Sequence, residues 1–225
     1  MNPKILLGCP TSEHKEYSLD KYLESVSNLT YKNFDLLLVD NSKTDRYYKK
    51  LKEKNINVIK DKYFENARDR ITHSRNILRE KCLKENYEYF FSLEQDIIAP
   101  KDVIERLLEH KKEIISGLYF YLGDDNKTLL PVVWIYHKGK YARRLDVDEV
   151  MDNKLIEVIT CGLGCVLIHR KVLEKVKFRY VKEKPGWDDL WFSEDARKNN
   201  FKVFVDTSIR CKHYVKGMDW SKIKK

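Results

Sequence analysis

The sequence lacks the glycine-rich signatures of the common nucleotide-binding folds. Only 8 of its 225 residues are glycine. No GxGxxG motif follows the first predicted strand, which argues against a dinucleotide-binding Rossmann domain, and no GxxxxGK[ST] motif indicates a P-loop. The turn after that strand, GCPTS at residues 8–12, is also poor in glycine. This turn disfavours a nucleotidyltransferase, which normally has a glycine-rich phosphate loop at that point.

The sequence also has no apolar run long enough to cross a bilayer and no charged-then-apolar leader. We therefore expect a soluble, cytoplasmic protein with at most peripheral membrane contact, made by a basic tail at residues 214–225 that contains Trp220. The five cysteines include a CxxxC spacing at Cys161 and Cys165, but no second pair at zinc-finger spacing. Buried free thiols are expected instead of a structural zinc site or disulfides.

Positive charge is in excess, but it is not concentrated. The chain has 44 Lys and Arg against 35 Asp and Glu, a net charge of +9, and such an excess favours acidic partners. The basic residues are scattered among acidic ones, however, and there is no clustered basic helix or RNA-binding aromatic motif. We interpret the charge as a solvated surface and expect no nucleic-acid partner.

Strand and helix patterns alternate along the chain, which predicts an α/β fold. Apolar runs at residues 4–9 and 34–40 predict buried strands, and apolar side chains at helical spacing predict a helix at residues 19–28 between them. This order is a βαβ unit with a parallel pair of strands. A hairpin is predicted near residues 131–141. The length of 225 residues is enough for one substantial core, so we expect a single domain.

A buried strand at residues 87–93 ends at the acidic turn Glu94-Gln95-Asp96. Two carboxylates one residue apart repel each other in an apolar setting unless a counter-charge is present. Mg²⁺ or Mn²⁺ is the simplest counter-charge, because both ions prefer oxygen ligands and leave positions for substrate phosphate. Ligands of open α/β sheets bind at the carboxyl ends of strands, where this turn falls. Taken alone, the turn is equally consistent with a polar loop that caps the next helix.

Two further groups of polar residues fall at similar positions. Asp40 and Asn41 end the second strand. Arg75 lies near the front of a helix predicted at residues 71–84, where an arginine is suited to a phosphate as well as to solvent.

The second half of the chain contains two more candidate segments. The turn CGLG at residues 161–164 has two glycines, which indicate a close backbone approach by a ligand or another strand. Residues 186–213 carry four carboxylates and end on His213. A single histidine is more often a surface or core residue than a ligand.

In the order and spacing of these motifs, residues 4–213 resemble the nucleotide-sugar glycosyltransferases of GT-A fold, in particular the large inverting family 2. The family's arginine-asparagine helix is similar to Ser74-Arg75-Asn76. Its D-x-D turn is similar to Glu94-Gln95-Asp96, with Glu in place of the first Asp. The resemblance implies one GT-A-like domain at residues 1–213, with a mostly parallel central sheet flanked by helices and a small antiparallel part. The nucleotide-binding half is expected at about residues 1–100 and the acceptor half at about residues 101–213.

The acceptor half carries the remaining likenesses. The family's glycine-rich turn and strand resemble residues 162–170, and its closing histidine resembles His213. Its E-D-x-x-F stretch resembles residues 188–192, DDLWF, with Asp188 in place of Glu. The pair Glu194-Asp195 also spells E-D, but it lies too close to Phe201 for the intervening helix. The catalytic base is therefore expected at Asp189, with Asp195 as the alternative.

The resemblance implies a glycosyltransferase that moves a sugar from a nucleotide-diphosphate donor to a hydroxyl of a carbohydrate, lipid-linked or protein acceptor. It implies Mn²⁺ or Mg²⁺ as the cofactor and inversion by direct displacement, with Asp189 as the general base. The other implied roles are donor binding by Pro10, Thr11, Asp40, Asn41, Arg75 and Gln95, acceptor binding by Gly162, Gly164, Trp187 and Trp191, and metal binding by Glu94, Asp96 and His213.

Two alternatives remain open from the sequence. One is a nucleotidyltransferase that acts on a sugar phosphate. The other is a protein that binds a nucleotide sugar without turnover, which the departures from the family pattern at Glu94 and Asp188 allow.

Overall fold

The computed structural model describes residues 2–123, 125, 128–138 and 141–215. Within this part, the chain folds around one eight-stranded sheet that is covered on both faces. Residues 216–225 of the predicted basic tail, with Trp220, and Gly139 of the predicted hairpin lie outside the described residues. None of the described helices is both long and apolar enough to cross a membrane.

The strands alternate with helices over the first hundred residues, as predicted, and follow one another more closely afterwards. The strands are β1 Ile5–Thr11, β2 Phe34–Asp40, β3 Val58–Lys60, β4 Tyr89–Leu93, β5 Ile97–Ile98, β6 Ile114–Leu118, β7 Phe120–Leu122, β8 Leu129–Pro131, β9 Val133–His137, β10 Tyr141–Arg144, β11 Leu155–Val158, β12 Thr160–Cys161, β13 Cys165–His169, β14 Val203–Arg210 and β15 Lys212–His213. The helices are α1 Leu19–Ser27, α2 Arg46–Glu53, α3 Ala67–Lys84, α4 Val103–Glu109, α5 Arg170–Lys175 and α6 Asp188–Lys198, with 3₁₀ helices at Glu13–Ser18 and Asp148–Val150.

The central sheet has the strand order β11-β14-β6-β13-β4-β1-β2-β3. Strands β3, β2, β1 and β4 are parallel, and β14 is parallel to β6. Strand β13 runs antiparallel between β4 and β6, and β11 pairs antiparallel with β14. Short antiparallel sheets complete the fold, which confirms the predicted mostly parallel sheet with a small antiparallel part. The carboxyl ends of four adjacent parallel strands therefore share one edge.

Side chains of the central strands alternate between two apolar layers. In β1, Ile5 and Leu7 join the layer that contains the buried faces of α1, α2 and α4, whereas Leu6 joins the layer of α3, α5 and α6. Strands buried on both faces appear in the sequence as continuous apolar runs, and for this reason the bounds of β2 are those predicted. All five cysteines are buried and free, as expected.

Two elements near the acidic turn differ from the prediction. The spacing of Val103, Ile104 and Leu107 predicts a helix past the turn, and this helix is α4, but β5 comes before it and was not predicted. Strand β5 pairs with β15, which sets His213 opposite Ile97. The 3₁₀ helix Glu13–Ser18 between β1 and α1 was not predicted. Both elements are too short to carry a periodic signal, so tertiary contacts decide them.

Candidate active site

The predicted donor-binding residues meet at the carboxyl edge of β1, β2 and β4, the usual ligand edge of an open α/β sheet. A cleft of about 120 Å³ opens there. A larger cavity of about 610 Å³ lies beside Lys212 and Tyr214, but none of the predicted site residues lines it. We therefore take the smaller cleft as the candidate site, and its lining consists of Pro10, Thr11, Ser12, Lys15, Asn41, Ile71, Glu94 and Gln95.

The three residues of the acidic turn have different surroundings. Glu94 is partly exposed, with 32% of its side chain accessible, and its Oε1 accepts a hydrogen bond from Arg75 Nη2 at 3.0 Å. Gln95 is buried, and its Oε1 accepts hydrogen bonds from Thr11 and from Tyr47, the latter at 2.8 Å. Asp96 is buried beside β15. The two carboxylates of the turn therefore have separate partners.

Asp96 and His213 are brought together by the pairing of β5 with β15. The Nδ1 atom of His213 lies 3.0 Å from the carbonyl oxygen of Phe120, which only accepts, so Nδ1 carries the hydrogen. The Nε2 atom then faces Asp96 Oδ2 at 3.2 Å. A proton or a shared cation is needed between these two acceptor atoms.

Lys15, which was not predicted as a site residue, supplies a positive charge to the same carboxylate. Its Nζ contacts Asp96 Oδ2. Burial of Asp96 opposes its ionised form, but the hydrogen bond to His213 and the charge of Lys15 outweigh burial and lower the pKa of Asp96 to about 2. The carboxylate is therefore ionised at neutral pH.

The donor atoms beside Asp96 fit a divalent cation. Asp96 Oδ1 is buried and has no hydrogen-bond partner among the described residues. A carboxylate oxygen with an imidazole nitrogen whose other nitrogen is held by a backbone carbonyl is a common ligand pair. The described part of the chain contains no group of three His, Cys, Asp or Glu side chains arranged to hold a metal.

Arg75 is the centre of a buried ionic network. It is 1% exposed, and it donates to Asp188 Oδ2 at 2.8 Å, to Ser92 Oγ at 2.8 Å and to Glu94 Oε1 at 3.0 Å. Burial alone disfavours its charge, but Asp188 and Glu94 raise the pKa of Arg75 above its ordinary value. The guanidinium thus joins the acidic turn to the start of α6.

Two neighbouring carboxylates at the start of α6 have different surroundings. Gly186, with φ of 100°, turns the chain into this helix in a conformation that other residues rarely adopt. Asp188 is buried and paired with Arg75. Asp189 is half-buried, and its Oδ1 accepts from the backbone of Leu190 at 2.7 Å. Burial and then the charge of Asp188 raise the pKa of Asp189 to about 6.

The alternative base, Asp195, lies further along α6 in a bidentate ion pair. Arg179 Nε and Nη2 donate to its two oxygens at 2.5 and 2.7 Å. Of the two predicted tryptophans, Trp187 is 47% exposed at the start of α6, whereas Trp191 is buried. Only Trp187 therefore offers a ring face of substantial area to a ligand.

On the donor side, the two residues at the end of β2 are buried. Asp40 Oδ1 accepts from the backbone and hydroxyl of Ser42, and its Oδ2 accepts from Lys60 Nζ at 2.8 Å. Asn41 lines the cleft, and its Nδ2 donates to Ser74 Oγ at 3.1 Å. Asp40 therefore stabilises the turn at residues 40–42, whereas Asn41 lines the cleft.

A further carboxylate at this edge, Asp61, was missed from the sequence. It follows β3, is buried, and accepts from Ser74 Oγ at 2.7 Å and contacts His73 Nδ1 at 2.8 Å. Its position after a strand is the signal that pointed to Asp40, so the same rule would have found it. Lys15 had no such signal, because it lies in a charged segment without periodicity.

The two glycines at residues 162 and 164 make room for the side chain of Tyr119. A Cβ on Gly162 would lie 1.8 Å from Tyr119 Oη, and one on Gly164 would lie 2.8 Å from Tyr119 Cζ. Gly164 N donates to the same Oη at 3.1 Å. The Tyr119 ring packs edge-on against His213, with centroids 5.9 Å apart. The pKa of Tyr119 is raised by burial, by the charge of Glu94 and by the charge of Asp189.

Comparison with known proteins identifies the family of the chain. The family model described as Glycosyl transferase family 2 matches residues 12–177. The chain belongs to that family. No protein with a curated description matches the sequence.

Two solved structures show the fold in other proteins. The crystal structure of GalNAc-T7 with UDP, GalNAc and Mn²⁺ has a TM-score of 0.71 and 13% identity, with 94% of this chain and 44% of that chain covered. The crystal structure of A197 from STIV has a TM-score of 0.54 and 14% identity, with 94% of this chain and 86% of that chain covered. At these identities the likeness shows a shared fold. The chain spans less than half the length of the GalNAc-T7 structure.

Proposed function

We propose that the chain transfers a sugar from a nucleotide-diphosphate donor to an acceptor hydroxyl, with a divalent cation and inversion at the anomeric carbon. The observation that carries the proposal is the buried Asp96, which has one oxygen without a partner among the described residues and faces His213 Nε2 at the carboxyl edge of the sheet. Family membership supports sugar transfer. The presence of Mn²⁺ and UDP in the GalNAc-T7 crystal structure supports a divalent cation.

Asp96 and His213 would hold the cation, either Mn²⁺ or Mg²⁺, with Glu94 of the same turn as the third predicted ligand. A cation there supplies Lewis-acid stabilisation of the charge on the departing diphosphate. His213 keeps its Nε2 directed at the site because Phe120 holds its Nδ1 and Tyr119 packs against its ring. Asp96 contributes an ionised oxygen at neutral pH.

Asp189 would act as the general base. Its carboxylate accepts the proton of the acceptor hydroxyl as that oxygen bonds to the anomeric carbon and the bond to the diphosphate breaks. A single displacement from the opposite face inverts the configuration without a covalent sugar-enzyme intermediate. Asp195 is less suited to this role, because both of its oxygens are bound to Arg179.

The remaining predicted residues have different places around the cleft. Pro10, Thr11 and Asn41 line it and would contact the donor, and Trp187 would stack on an acceptor sugar. The other six would have a positioning role. The side chains of Asp40, Arg75 and Gln95 already bind protein partners, Gly162 and Gly164 make room for Tyr119, and the Trp191 ring is buried.

Asp96→Ala should remove the part of donor affinity that depends on Mn²⁺, because it deletes the carboxylate that holds the cation. Calorimetric titration of nucleotide sugars with and without Mn²⁺ measures this increment. The matched control is Asp102→Ala, at the N-cap of α4, where the carboxylate is half exposed. An Mn²⁺-dependent increment that survives Asp96→Ala would rule out a cation site at this residue.

The transfer rate should rise with pH and level off above about pH 6. Asp189 accepts a proton only when ionised, and its pKa is raised to about 6, so the active form is lost as pH falls through that value. Below it, the rate should fall about tenfold per pH unit. Initial rates in a series of buffers measure the profile. A flat profile between about pH 4.5 and 7 would contradict a base with this pKa.

The reaction class is tested by product analysis. Incubation with nucleotide sugars, Mn²⁺ and a panel of acceptors should release a nucleoside diphosphate and form a glycoside of inverted configuration. Pyrophosphate release from a nucleoside triphosphate and a sugar phosphate would identify a nucleotidyltransferase instead. Saturable binding without release of nucleoside diphosphate would identify a binding protein without turnover.

A further inference from the structure

We propose that the ammonium group of Lys15 pairs with the Asp96 carboxylate in the absence of a divalent ion. When that ion binds, the ammonium group moves to the phosphates of the donor. The inference rests on the proposed function, because it deepens the account of the same site. Its starting point is the contact of Lys15 Nζ with Asp96 Oδ2, the oxygen that also faces His213 Nε2.

The backbone at Lys15 is held by neighbouring segments, whereas its ammonium group contacts Asp96. Gln95 Nε2 donates to the carbonyl oxygen of Lys15 at 2.6 Å, and Ser42 Oγ accepts from the backbone of Glu13 at 2.8 Å. Glu16 is paired with Arg46 and Lys50 of α2. These contacts hold the 3₁₀ helix in place. The ammonium group of Lys15 can therefore move only by rotation about the bonds of its four-carbon side chain.

The ammonium group of Lys15 and a divalent ion would compete for the carboxylate of Asp96. Asp96 is 2% exposed and needs a counter-charge, because an isolated buried carboxylate is strongly disfavoured. Lys15 provides one positive charge at Oδ2. A divalent ion shared by Asp96 and His213 would contact Oδ2, because Oδ2 is the oxygen that faces His213 Nε2. The ammonium then has to leave, since two cations in contact with one oxygen repel each other.

The position to which Lys15 would move is the cleft. Its side chain is 37% exposed and lines the 120 Å³ cleft together with Thr11 and Asn41, the proposed donor contacts. A diphosphate bound there brings negative charge beside the cation. The freed ammonium then pairs with phosphate oxygens, which lysine binds as a point charge. Cation and nucleotide would therefore bind cooperatively, each strengthening the other.

The test is titration of Mn²⁺ alone into the protein by calorimetry, with free Mn²⁺ checked by electron paramagnetic resonance. Lys15→Met keeps the length of the side chain and removes its charge, so it should bind Mn²⁺ about 5- to 150-fold more tightly than wild type. Lys15→Arg, which keeps the charge, should bind like wild type. The matched control is Lys54→Met, which removes a lysine paired with Asp20 at the end of α2.

A second titration measures UDP and GDP at saturating Mn²⁺. The nucleotide that binds wild type should bind Lys15→Met more weakly, because the freed ammonium is missing. Equal Mn²⁺ affinity in wild type and Lys15→Met would overturn the inference and leave the proposed cation site intact. Binding of Mn²⁺ alone to Lys15→Met but not to wild type would support the inference. No Mn²⁺ binding in either protein would overturn both.

Discussion

Asp189→Asn is expected to lower the rate of sugar transfer by about 10²- to 10⁴-fold, the usual effect of removing a general base. Asparagine has nearly the shape of aspartate, and its carbonyl oxygen can still accept from the backbone of Leu190, so the start of α6 should keep its structure. It cannot take the proton of the acceptor hydroxyl. Donor affinity, measured by calorimetry with Mn²⁺, should remain at the wild-type value.

The matched control for this prediction is Asp195→Asn on the same helix. It weakens a partly exposed ion pair with Arg179 and should change the rate little. A rate near wild type for Asp189→Asn with a large loss for Asp195→Asn would move the base to Asp195. The rise of the rate with pH near pH 6 should disappear in Asp189→Asn, which links the rate loss to this carboxyl group.

Arg75→Met is expected to lower the free energy of unfolding by about 3–5 kcal/mol. The substitution leaves Asp188 buried without its counter-charge. It also removes the hydrogen bonds that Arg75 donates to Ser92 and Glu94. Removing one partner of a buried pair is strongly destabilising, because the remaining charge stays in a poorly hydrated place. Urea unfolding followed by circular dichroism measures the change.

Two further variants separate lost charge pairing from lost packing. Arg179→Met breaks the partly exposed pair with Asp195 and should cost about 1 kcal/mol or less. Combining Arg75→Met with Asp188→Asn removes the unpaired charge and should recover part of the loss. If Arg75→Met and Arg179→Met unfold at the same urea concentration, the buried network does not stabilise the fold more than the exposed pair does.

Local sequence was sufficient wherever one segment carries a complete signal. The apolar run of β2 and the periodic apolar side chains of α1 predicted both elements within one residue of their observed bounds. Helix α3 began four residues earlier than expected, because Asn66 caps it by accepting from the backbone of Arg68. Polar residues at strand ends predicted the edge of the sheet at which the candidate cleft lies.

Local sequence did not predict the contacts between distant segments. His213 meets Asp96 across 117 residues, and Arg75 meets Asp188 across 113. The sequence marked Arg75 as a phosphate contact, whereas the structure surrounds it with protein acceptors. It gave no reason to select Lys15, whose importance depends on the carboxylate that its side chain reaches.

The amino-acid sequence by itself determined the α/β class, the parallel strands with their polar ends, and the likeness to family 2 glycosyltransferases. Those properties follow from periodicity and residue type, which are local. Only the tertiary structure decided which charges are paired, which carboxylate keeps a raised pKa and which cation lies on Asp96. The energy of a charge depends on its burial and on the neighbours that folding brings close, and no single stretch of the sequence determines either.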